Sequence, residues 1–162
     1  MGTGTFVNLS LANSYQVASL TALRSNSTIA RNTETNEGTI MKIAIPSETA
    51  DQLQSIRSGH FGHTPYFTIV EYDDDMNIVS TEAVKNVDHD EFGCGGVIEY
   101  VLGLGVDGIL TVGMGMPPLM RFTQGGVIVY SERETPLVGD VAIRFAQGQV
   151  DRMSPEDACS HH

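Results

Sequence analysis

The sequence predicts one α/β domain with a mixed sheet, on three observations. At Met41 a Ser/Thr/Asn-rich segment gives way to Met-Lys-Ile-Ala-Ile-Pro, a short apolar strand of the kind that opens such domains. Further apolar, β-branched runs follow, and the later ones alternate with helical spacing. Gly, Pro and Asp clusters punctuate the junctions. The expected order is βββαβαβα.

The first strand is Met41–Pro46, and a polar loop then runs to Ser58-Gly-His-Phe-Gly-His-Thr-Pro-Tyr-Phe67. Gly59 and Gly62 are expected to take positive φ there. Tyr66–Tyr72 is the second strand, Asp73–Asn77 a turn, and Ile78–Val84 the third strand. A second polar loop, Asn86–Gly96, carries His89 and Cys94. The first helix follows it on Val97, Val101 and Leu104, and Gly103 and Gly105 end it. Gly108–Val112 is the fourth strand, and Gly113-Met-Gly-Met-Pro-Pro118 leads into a second helix that stops at Gly125-Gly126. Val127–Tyr130 is the fifth strand. The third helix opens at Thr135-Pro136, buries Val138, Val141, Ala142 and Phe145, and ends near Gly148.

A tight turn makes the second strand antiparallel to the third, an antiparallel pairing with the first is the simplest choice for the longer loop between them, and the helical crossovers make the fourth and fifth parallel to the first. The expected strand order is 3-2-1-4-5. The loops after strands 1, 3 and 4 then leave the same carboxyl edge, where open α/β sheets hold ligands. That edge gathers imidazole (His60, His63, His89), thiol (Cys94) and thioether (Met114, Met116) groups. Such donors favour copper(I), zinc, iron–sulfur or thiomolybdate chemistry over magnesium or calcium. Cys94 lies just ahead of a helix, where aligned peptide dipoles favour negative charge. The exposed amides near Gly95 and Gly113–Gly115 suit an anionic cluster. Each residue also has a plainer reading: solvated histidines, a packed cysteine, methionines as core filler.

The 162 residues carry a net charge of −11, and 18 of the 20 acidic but only 7 of the 9 basic residues lie from residue 41 onward. A pI near 4.6 argues against nucleic acid, which needs clustered Lys and Arg. Two cysteines make no secreted disulfide framework, so a reducing, cytoplasmic setting is expected. No run is long enough to cross a membrane. Residues 1–40 are read as a disordered extension, 41–150 as the domain, and 151–162 as a flexible polar tail. In that tail Cys159, His161 and His162 form a separate candidate metal-binding group, or a tail with no role.

Met41–Pro46, Ser58–Phe67, His89…Gly93-Cys94-Gly95, Val112–Gly115 and Gly125–Val129 together resemble the dinitrogenase iron–molybdenum cofactor biosynthesis domain family. The resemblance covers roughly residues 41–150. Its most specific part is the His-Phe-Gly…Pro-Tyr-Phe run, and its least specific the Gly-x-Gly turn. It implies a three-layer, ribonuclease H-like α/β/α fold with a five-stranded mixed sheet. Relatives include carriers of the nitrogenase cofactor and its precursors, and the orange protein with its molybdenum–copper–sulfide cluster.

The implied function is non-enzymatic binding or delivery of a metal–sulfur cluster of Mo–Fe–S or Mo–Cu–S type. In the family a histidine in the loop before the first helix is a cluster ligand; His89 matches that place, and Cys94 fits the variant in which a cysteine follows it, so these two are the expected metal ligands. His60, Phe61 and Gly62 match the loop signature, and with Gly113, Met114 and Gly115 they are the further residues expected to bind the cluster. Implied partners are cluster donor and acceptor proteins, for a monomer or weak homodimer. The competing readings are a simple transition-metal protein using His60, His63, His89 and Cys94, and a ribonuclease H-like nuclease. The nuclease needs carboxylates grouped on adjacent strands, whereas Glu71 and Glu82 are the main acids in the strand interiors.

Overall fold

The computed structural model describes residues 38–159. The expected extension 1–40 lies outside the described residues except for its last three. Residues 160–162 and the Cys159 side chain lie outside them too.

Three strands come first: β1 (Met41–Ser47), β2 (Tyr66–Tyr72) and β3 (Ile78–Lys85), with one 3₁₀ turn at Gln52–Gln54. Then α1 (His89–Gly103), β4 (Gly108–Thr111), α2 (Met116–Gln124), β5 (Ile128–Ser131) and α3 (Val138–Ala146) follow. The chain continues into β6 (Asp151–Arg152) and α4 (Pro155–Cys159). The sheet order is β3-β2-β1-β4-β5-β6. Strand β2 is antiparallel to β1 and β3, while β4 and β5 run parallel to β1. The expected order and directions of the first five strands hold.

Alternation along the strands divides the core into two layers. Ala44, Phe67, Ile69, Ile109 and Val129 pack with Val97 and Val101 of α1 and with Leu119 and Phe122 of α2. Ile43, Ile45, Val70, Tyr72 and Leu110 pack on the other side with Val138, Val141, Ala142 and Phe145 of α3. The α3 residues fall at i, i+3, i+4 and i+7, one helical stripe. Helices therefore cover both faces of the sheet. Strand β4 is buried along its whole length. A side chain at Gly108 would press on Tyr130 and on the Ile128 carbonyl at 2.9 and 3.0 Å.

Four expectations need correction. The sheet has six strands, because β6 pairs antiparallel with β5 through Tyr130–Arg152 and Ser131–Asp151. The segment after 150 is accordingly no flexible tail up to residue 159: Met153 and Ala158 are buried in the core. The loop Asn86–Gly96 is mostly helix. Asp88 caps it by accepting from the Asp90 N–H at 2.9 Å, and Gly93 (φ 69°, ψ −179°) breaks it into a single turn followed by the main helix. Finally, α3 starts at Val138, because Thr135 is engaged by Glu132 instead of capping the helix. Among the described residues no helix is long and apolar enough to cross a membrane.

Candidate functional site

Hydrogen bonds at the end of β1 set the shape of the carboxyl edge. The Ser47 hydroxyl lies 2.7 Å from that of Thr68, and Thr64 Oγ1 donates to the Ser47 carbonyl at 2.8 Å. All three residues are buried. The His/Gly loop is thereby clamped at its exit, and the Ser58 N–H, bonded to the Pro46 carbonyl at 2.9 Å, clamps its entrance. Between them, the His63 N–H closes a turn on the His60 carbonyl. The third loop is tied to the first by Asn86, whose side chain donates to the Thr64 carbonyl at 2.9 Å. The Asn86 N–H also donates to the Pro65 carbonyl. These bonds set residues 63 and 89 side by side although they come from different loops.

At this junction Gly62 faces Cys94 and His89. A Cβ on Gly62 would lie 3.3 Å from Cys94 Sγ and 3.5 Å from His89 Cδ2. Neither Gly59 nor Gly62 has positive φ, contrary to expectation. Close approach by the thiol and imidazole is what Gly62 allows. Gly93 is the loop glycine with the left-handed backbone, and its break leaves Cys94 as the first residue of the main helix.

His60, Phe61, Gly62, Cys94, Gly113, Met114 and Gly115, seven of the eight expected site residues, line one cleft of about 260 Å³ together with His63 and Pro118. His89, the eighth, lines an adjoining cleft of about 550 Å³ with Asp88, Asp90 and Lys85. Gly62 and His63 belong to both. The side chains differ in character. Cys94 and His60 are exposed and His89 is half-buried. Phe61 is buried edge-on against Phe122, and Met114 is buried in the core layer, so both serve packing as well as the cleft wall. Met116 begins α2 outside either cleft lining.

His63 is weighed in the sequence only as a ligand of a simple metal site, yet its ring centroid lies 3.8 Å from that of His89, tilted by 36°. Its neighbour His60 is 6.5 Å away, edge-on. Arg57 had no sequence signal at all. Its side chain, 2% exposed, reaches from the loop after β1 to Glu132 after β5, bridging at 2.8 Å and also donating to the Thr135 carbonyl. Burial lowers the Arg57 pKa, against the opposing pull of Glu132. Burial alone raises that of Glu132, but hydrogen bonds from Thr135 and Arg57 outweigh it and hold the carboxyl below its ordinary value.

A family model described as dinitrogenase iron-molybdenum cofactor matches residues 41–148. A comparison with curated proteins gives no match. Among solved structures, the crystal structure of PH0822 is 26% identical, with a TM-score of 0.60 over 70% of this chain and 96% of that one. The apo form of the orange protein from Desulfovibrio gigas is 23% identical, with a TM-score of 0.61 over 72% and 96%. The Methanocaldococcus jannaschii protein mj0327 is 21% identical, with a TM-score of 0.56 over 72% and 97%. At those two identities the likeness is one of fold. The family match spans nearly all of the sheet and both clefts, and the chain belongs to the dinitrogenase iron–molybdenum cofactor family.

Proposed function

We propose that this protein binds and hands on a metal–sulfur cluster at the carboxyl edge of its sheet, without catalysing a reaction. The observation that carries the reading is the meeting of Cys94 Sγ and the His89 ring over the bare backbone of Gly62. A thiolate and an imidazole suit a sulfide-rich cluster of Mo–Fe–S or Mo–Cu–S type. His89 and Cys94 are its anchors. His60, Phe61 and Gly62 form one wall, and Gly113, Met114 and Gly115 the other. Family membership supports a metal-cluster role of a non-catalytic kind.

A bare ion fits less well. Among the described residues no three His, Cys, Asp or Glu side chains gather around one point. An isolated zinc ion takes three or four such ligands. A preformed cluster brings its own sulfide and needs only one or two anchors. The same observation disfavours a two-metal nuclease. The carrier works between donor and acceptor proteins in the cytoplasm, as a monomer or weak homodimer of ribonuclease H-like fold.

Anaerobic incubation with tetrathiomolybdate and copper(I), and separately with iron and sulfide, tests this. After gel filtration the protein should keep stoichiometric metal and visible absorption, and His89→Ala and Cys94→Ala should lose most of both. Equal loading of parent and variants would sink the assignment.

A further inference from the structure

A metal-ligating histidine is normally held in orientation by a second group, usually one that accepts the proton of its other ring nitrogen. Among the described residues nothing makes that bond to His89. Its ring lies over Gly62, where an added Cβ would come within 3.5 Å of Cδ2, and against the His63 ring, 3.8 Å away between centroids. His63 stands at the seam of both clefts, and its position is fixed by the Thr64 and Asn86 bonds on the residues beside it. At 3.8 Å between centroids the two rings pack closely as a tilted stack, 36° from parallel.

We propose that His63 is a positioning residue: its ring, stacked on His89, holds that imidazole toward Cys94 and so sets the affinity for the cargo. This deepens the carrier reading and rests on it. The stack takes the place of the missing hydrogen-bond partner. Its essential property is a flat ring, whereas a ligand's is a nitrogen lone pair.

Two variants separate these roles. His63→Ala removes ring and nitrogen, and His63→Phe keeps the ring alone. Titration of the apo protein with tetrathiomolybdate, followed by visible absorption, should show affinity falling about 10-fold in His63→Ala, the size of a lost orienting partner. His63→Phe should bind like the parent. An equal loss in both variants would make the nitrogen the functional group and overturn the proposal, and so would no loss in either.

A second readout needs no cargo. The His89 ring-proton resonances should be shifted upfield by the stack in the parent and in His63→Phe, and should relax to ordinary values in His63→Ala. Ordinary values in the parent would overturn the stack itself. A parent that takes up neither tetrathiomolybdate nor iron–sulfide would instead sink the carrier reading, whatever the resonances show.

Discussion

Arg57 and Glu132, 75 positions apart in the chain, are joined by a 2.8 Å bond beneath the carboxyl edge, with only 2% and 9% of their side chains exposed. Two guanidinium nitrogens of Arg57, Nε and Nη2, are buried with no hydrogen-bond partner among the described residues. The pair ties the loop that carries His60 and His63 to the turn after β5. It is better read as a fastening of the edge than as a source of net stability, since burying two charges offsets most of their attraction.

Removing the Glu132 carboxylate strands a buried guanidinium, so Glu132→Gln should lower stability by about 3–5 kcal/mol in denaturant unfolding. Arg57→Ala should cost less, because Glu132 keeps its bonds from Thr135 and an ion pair with Arg144 at 3.7 Å. The paired change Arg57→Met with Glu132→Leu should cost much less than the sum of the two single changes. Acid acts through the same pair. The folded-state pKa of Glu132 is depressed, so its contribution is full above the ordinary carboxylate range and is lost as pH falls through the lower folded value. Stability of the parent should drop below that range more steeply than stability of Glu132→Gln. Parallel pH profiles would remove Glu132 as the cause.

Gly62→Ala isolates the site from the fold. The backbone there accepts alanine, and the new methyl would meet the exposed Cys94 thiol at 3.3 Å, a contact relieved by small movements. Thermal unfolding should change little, while loading with tetrathiomolybdate should fall clearly. Unchanged loading would show that the approach of Cys94 and His89 over Gly62 is incidental.

Gly93→Ala should affect the fold as well as the site. Its backbone, at φ 69° and ψ −179°, lies where essentially only glycine is at ease, so alanine should cost about 1–3 kcal/mol. The relief of that strain would swing the turn that bears His89. Reduced loading with a measurable fall in unfolding temperature is expected, and wild-type stability would show that the break is not imposed by this residue.

Much of this architecture was legible because it rests on local patterns. The apolar runs Met41–Pro46, Tyr66–Tyr72 and Gly108–Val112 fix strands, and turn lengths fix their directions. Chain direction alone then sends three loops to one edge. What escaped was non-local or too short to carry a pattern. Asp151 and Arg152 have no strand-like alternation, and they pair with β5 because Met153 and Ala158 anchor the chain beside them. The turn from His89 to Phe92 reads as part of a polar loop that runs into the glycines at 93, 95 and 96, and only the Asp88 cap reveals a helix. Arg57 and His63 matter through partners 75 and 26 positions away, at distances no spacing rule spans.

Both borders of the sheet are poor templates for another chain. Strand β3 exposes Ser80, Glu82 and Lys85 and is offset by a register shift at Glu71/Tyr72, and β6 offers only two residues, both charged. Charge, irregularity and brevity are the devices that keep sheets from growing edge to edge. With a net charge of −11 added, two copies gain little by zipping together. Growth of the sheet is thereby disfavoured at these two borders, and the carboxyl edge lies at neither of them.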